Sequence, residues 1–274
     1  MSRVREEARS PLGLTAIAPP VVTCALAGLL VLADLAGTVV MAAAVLLVQL
    51  VLAASPSPAG RTRAPVHAPK ALPIALSGLV AAVVTLAPSV VAGAEGTVAT
   101  AAASVDSGSL AGVGIALPVL VLAALLGQLR RPAPRPDVVP ALGEVVVTGT
   151  VALMATGWLA AAVSPVGRPA VVVAAVVTVI VVVADRAGRM RPVAHVWALA
   201  LSALSGIVLA SLEGADAVVG GVAAVAIGGA VIAGSSVGRR WRPLPPSRWA
   251  VEATAPIALA GPVVFVAALI WAGI

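Results

Sequence analysis

The chain has 274 residues, of which 61% are hydrophobic and only 10% charged, with a mean hydropathy of +1.12; a soluble globular domain carries about 25% charged residues. A water-soluble domain is excluded. The formal charge of +6 would suggest a nucleic-acid partner in a soluble protein, but here the arginines sit in short clusters between apolar runs, so the basicity reports membrane topology and no nucleic acid is expected.

The opening SRVREEAR leads into apolar sequence from Pro11 to Ala54. That is far longer than a signal-peptide core of about 7 to 15 residues, so the N-terminus is expected to remain as an uncleaved anchor. It is also too long for one crossing of about 20 residues, and it divides at Ala33-Asp34-Leu35-Ala36-Gly37 into spans at about 13–33 and 37–54. The one cysteine, Cys24, lies in the first span, which rules out an intrachain disulfide and leaves a small packing residue. The loop SPSPAGRTRAPVHAPK follows, then a third span at about 71–92 and the cation-free AEGTVATAAASVDSGS. A fourth span, about 109–129, ends at Arg130-Arg131, and a fifth covers about 140–163.

Val171 to Ala184 reads VVVAAVVTVIVVVA, the most uniform apolar run, and sets a sixth span at about 169–184. At 1.5 Å per residue it is roughly 24 Å long against a hydrocarbon core of about 30 Å, so its flanking charges must snorkel or the bilayer must thin. Spans at about 193–211, 216–237 and 256–274 complete an all-α bundle of about nine transmembrane helices in a single domain. Cations in short loops are retained on the cytoplasmic side. With the N-terminus inside and the C-terminus outside, sixteen of the seventeen lysines and arginines fall in the cytoplasm, and only Arg168 falls outside.

Charged side chains within spans mark functional candidates. Glu144, four residues after Pro140, is favoured by the positive helix N-terminus and by Arg130, Arg131 and Arg135; a proton or metal role is the alternative. Asp185 closes the sixth span beside Arg186, and His67 and His195 show no ligand spacing. Gly220, Ala224 and Gly228, with Ala230, Gly234 and Gly238, place small residues on helix stripes suited to close packing inside the bundle. No Walker lysine, HExxH or GxSxG elbow is present, and no span carries paired carboxylates.

From about Ala141 onward the order of features resembles the CDP-diacylglycerol synthases, or phosphatidate cytidylyltransferases. Val171 to Asp185 is similar to that family's apolar helix ending in a cytoplasmic aspartate, Ser236-Val-Gly-Arg239-Arg240 to its S-x-x-K-R fragment, and AGPVVFVAALIWAG to its last span. The resemblance implies nucleotidyl transfer to a lipid phosphate with Mg²⁺, and Asp185, Ser236, Arg239 and Arg240 meeting at the cytoplasmic surface. The family's closing acidic segment and D-x-x-D are replaced here by WRPLPPSRWAVEATAP, whose one acid is Glu252. One glutamate cannot supply the oxygen ligands of a pair of Mg²⁺ ions.

The expectation is therefore a multi-pass inner-membrane protein without catalysis or cofactor. It would serve as an accessory subunit in envelope or lipid metabolism, its arginine-rich loops meeting anionic lipid headgroups or a membrane-protein partner. Two other classes stay open. A phosphatidate cytidylyltransferase-like enzyme would line one cavity with Asp185, Ser236, Arg239 and Arg240. A small-molecule or lipid transporter would need a polar path at mid-membrane, for which helices broken at Pro88 and Pro118 are the hint.

Overall fold

A computed structural model describes residues 14–55, 69–86, 110–131, 138–164, 167–187, 191–214, 216–240 and 248–272. The expectations resting on His67, Pro88, Arg135 and the cation-free loop fall outside these residues. Ten helices make up the described chain, with no strand: α1 (Leu14–Ala36), α2 (Thr38–Ala53), α3 (Ala71–Leu86), α4 (Ala111–Leu129), α5 (Val138–Met154), α6 (Thr156–Val163), α7 (Gly167–Ala187), α8 (Arg191–Leu212), α9 (Ala217–Arg240) and α10 (Arg248–Trp271). Seven described segments are long and apolar enough to cross a membrane, with α5 and α6 counted as one; α2 and α3 are shorter apolar helices.

The exterior carries the residues that a soluble protein would bury. Val193, Val196, Trp197, Leu201, Leu204 and Leu212 all lie exposed along α8, and Leu122, Leu125, Leu126 and Leu129 along α4. A polar solvent would penalise such faces and hydrocarbon does not, so the chain is a helical bundle of membrane type. In that environment burial of apolar area supplies little attraction between helices, and close packing must supply it. The glycines show this. A Cβ at Gly206 would lie 2.3 Å from the Gly220 carbonyl oxygen, and one at Gly234 would lie 2.6 Å from the Pro256 Cα. The stripe Gly220, Ala224 and Gly228 thus seats α8, while Gly234 and Gly238 seat α10, all inside the bundle.

Two apolar cores result, one drawn mainly from α1, α2, α6, α7, α9 and α10, the other from α2 to α5 with α10. Cys24 packs half-buried against the first. α10 serves both cores and is the most buried of the candidate spans.

Several boundaries depart from the sequence pattern. The run Val171–Ala184 lies within a helix of 21 residues, about 31 Å at 1.5 Å per residue, because Arg168-Pro169 fit its first turn and Asp185-Arg186 its last. The charges sit within the helix ends, and the uncharged stretch between Arg168 and Asp185 keeps the length read from the sequence. α10 begins eight residues before Pro256, which sits inside the helix; prolines are tolerated in membrane helices because neighbours satisfy the backbone they disturb. Pro118 likewise lies inside an unbroken α4.

The fifth span, by contrast, is interrupted at Ala155, where N–H groups reach back three residues from Ala155 to Ala152 and from Trp158 to Ala155. The partner explains the break: Gly157 and Gly261 meet backbone to backbone, and Trp158, fully buried, donates its indole N–H to the Ile257 carbonyl at 2.8 Å.

Two turns use glycine for its freedom at positive φ. Gly37, at φ 117°, divides α1 from α2 inside the expected break, and Gly214, at φ 72°, follows α8. Asp216 then caps α9, its carboxylate accepting from the N–H groups of Val218 at 2.7 Å and Val219 at 3.2 Å.

Candidate functional site

Asp185 occupies the last turn of α7, where the helix's own carbonyls make the potential negative. A carboxylate there needs cations, and two neighbouring helices supply them. Arg239, in the last turn of α9, donates from Nη1 to Asp185 Oδ2, while His195 Nε2 and Asp185 Oδ1 lie 3.1 Å apart. His195 stands four residues after the first residue of α8 and Asp185 two residues before the last residue of α7, so the two consecutive helices bring them together near their connection. Arg239 also reaches Ser236 Oγ at 3.4 Å, and the Ser236 hydroxyl donates to the Ile232 carbonyl at 2.9 Å. Arg186 and Glu252 of α10 form a second ion pair at 3.7 Å.

These pairs surround a small pocket between α1, α7, α9 and α10, lined by Asp185, Arg186, Arg239, Glu252, Ser235 and Thr23. The Thr23 hydroxyl bonds the carbonyls of Pro19 and Ala253 at 2.9 and 3.0 Å, tying α1 to α10 beneath it. The open interior is about 20 Å³, room for roughly one water molecule. Ser235 lines the pocket, whereas Ser236 meets it only through Arg239, and Arg240 is exposed. Of the four residues read from the sequence, Arg239 therefore touches both Asp185 and Ser236. His195 and Glu252 complete the group. His195 could have been signalled only by its place a few residues beyond the α7–α8 connection, and Glu252 stood out as the one acid of its segment.

Glu144 belongs elsewhere. Its Oε1 accepts from Lys70 Nζ at 3.1 Å and from the Thr148 hydroxyl at 3.2 Å, with both charged side chains nearly buried. The cation paired with it is Lys70, which immediately precedes α3; of the arginines expected nearby, Arg135 lies outside the described residues. Burial pushes the Lys70 ammonium below the ordinary lysine value, and the adjacent Glu144 carboxylate pulls it part of the way back.

At the opposite end of the bundle Arg168 pairs with Asp34 at 3.6 Å. Within the α2–α6 contact, Gln49 donates to the Thr156 hydroxyl at 3.1 Å.

Among the described residues no three or more His, Cys, Asp or Glu side chains come together as metal ligands. The chemistry available at the Asp185 group is thus a carboxylate held by an arginine and a histidine, beside an arginine–glutamate pair. Set beside family models, curated proteins and solved structures, the chain matches none.

Proposed function

We propose that the chain is a multi-pass inner-membrane subunit without catalysis. It crosses about nine times, with the N-terminus and the arginine-rich end in the cytoplasm and the C-terminus outside, and meets anionic headgroups or a membrane-protein partner in envelope or lipid metabolism. One observation carries this reading. Both oxygens of Asp185, the acid at the centre of the polar group, are engaged by Arg239 and His195, and the pocket beside them has space for about one water. Ligand sites of drug or nucleotide size run to about 300 Å³ or more, so this group reads as a clasp holding α7, α8 and α9 together.

The contact of Asp185 with Arg239, and of Arg239 with Ser236, favours a second reading, a lipid enzyme similar to the phosphatidate cytidylyltransferases. Binding of CTP and phosphatidate to the purified chain, with and without Mg²⁺, separates the two. Metal-dependent CTP binding lost in both Asp185→Ala and Arg239→Ala would replace the first reading by the second. Lipid binding without nucleotide binding is the outcome expected of the non-catalytic subunit.

A further inference from the structure

α9 and α10 pack tightly at one end and part at the other. Gly234 and Gly238 bring the α9 backbone against α10, where added Cβ atoms would lie 2.6 Å from the Pro256 Cα and 3.0 Å from the Glu252 Cα. Further along the same face of α9, at steps of three or four residues, stand Val231, Ile227, Ala223 and Val219. Side chains in place of glycine hold the helices apart there. The gap is a groove of about 230 Å³, walled by Val218, Val222 and Ala226 of α9 and by Val263, Val266 and Ile270 of α10.

Every residue lining this groove is valine, alanine or isoleucine. Water finds no hydrogen-bond partner in such a space, and an empty one forfeits dispersion contacts along both walls. Methylene groups from the bilayer remove that loss. From Val218 to Ala226 the groove runs about 12 Å at 1.5 Å per residue, against about 15 Å for half the hydrocarbon core. Its volume over that length gives a mean section of about 20 Å², too narrow for a helix about 10–12 Å across and suited to one acyl chain.

The mouth of the groove is charged. Asp216 Oδ1 accepts from the backbone N–H groups of Val218 at 2.7 Å and Val219 at 3.2 Å, both residues of the groove wall, which fixes a carboxylate where a lipid chain would enter. Glu213 lies exposed three residues earlier, and the turn LEGAD (212–216) contains no lysine or arginine. We propose that this groove binds one acyl chain of a membrane lipid whose headgroup carries a primary ammonium, as in phosphatidylethanolamine, with the ammonium on Asp216. An anionic headgroup would meet two carboxylates at the same place and be repelled. The groove opens at the end of α9 remote from Arg239 and stands independently of either reading of the Asp185 group.

Photolabelling of the full chain in vesicles tests it, with a phosphatidylethanolamine that carries a diazirine in its acyl chain and peptide mass spectrometry as the readout. The exposed face of α8, with Val196, Trp197, Leu201 and Leu204, is equally apolar and serves as the measure of bulk lipid contact. Label should concentrate on the groove walls above the level on α8. Ala226→Phe, which fills the groove from an exposed position, should remove most of the groove label and leave that on α8, whereas Val225→Phe, exposed on the same helix outside the groove, should change neither. Val266→Phe fills the groove from the other wall and carries the test if the first variant does not fold. Unlabelled phosphatidylethanolamine should displace the groove label better than phosphatidylglycerol by up to about fivefold, the range of an exposed ion pair. That preference should vanish in Asp216→Asn combined with Glu213→Gln, since asparagine keeps the helix cap without the charge. Equal labelling of groove and α8, label indifferent to both phenylalanines, or equal displacement by the two lipids would overturn the site. Cross-links between two copies of the chain at the groove in place of lipid would overturn it also and assign the groove to a second copy.

Discussion

Asp185 is the residue on which the basic end turns, because a carboxylate in the last turn of a helix is stable only with cations beside it. Arg239 and His195 supply them from two other helices. A charge-assisted hydrogen bond is worth about 1.5–3 kcal/mol, so Asp185→Asn should lower stability by roughly that amount in denaturant unfolding. A double-mutant cycle with Arg239→Gln should return a coupling of about 1 kcal/mol or more; additive losses would remove the clasp.

Glu144 makes the complementary case. Removing one partner of a buried pair costs about 3–5 kcal/mol, and Glu144→Gln would leave Lys70 buried with its charge unmatched. The sign with pH follows from the lowered Lys70 value. The unfolded chain binds the proton more tightly, so stability rises with pH between the folded and the ordinary lysine values. Losing Glu144 removes the effect that raises the folded value and widens that window. The deficit of Glu144→Gln should therefore shrink as pH climbs toward the ordinary lysine range, and a pH-independent deficit would show that Lys70 is not the cause. Glu144 was legible in the sequence as an acid inside a span. Its partner was not, because Lys70 lies 74 residues away among the other cations of a proline-rich loop.

At the scale of helices, hydropathy located almost every element, since each described helix is built on a mainly apolar run, with charges confined to a few positions such as Glu144 and Glu252. It could not show the break at Ala155, whose cause is Gly261 on a distant helix. A Cβ at Gly157 would lie 2.2 Å from the Gly261 carbonyl, and one at Gly261 would lie 2.1 Å from the Met154 carbonyl. Both obstacles are backbone and cannot swing aside, so Gly157→Ala and Gly261→Ala should each cost about 1–3 kcal/mol or more. Gly229→Ala, with nothing within 4 Å, should be neutral or raise stability by up to about 1 kcal/mol through helix propensity. Melting the three variants side by side in one detergent checks the contrast; equal effects would mean that the glycine contact does not hold the helices.

For the whole molecule, the alternation of cations implied an orientation, and the side-chain pairs lie toward both ends of the bundle. Lys70, Glu144, Asp185, Arg186, Arg239 and Glu252 gather at helix ends opposite to Arg168 and Asp34. In a Cys24→Ala background, Arg130→Cys and Arg240→Cys should resist a membrane-impermeant maleimide added to intact cells, while Glu213→Cys should react. The reverse pattern would invert the proposed topology.

The backbone contact at Gly157 and Gly261 has a mechanical consequence. It lies where α6 of one apolar core meets α10, the helix common to both. Two chains already touching without side chains between them cannot be pressed closer, and the bulk on either side, including the locked indole of Trp158, opposes translation along the helices.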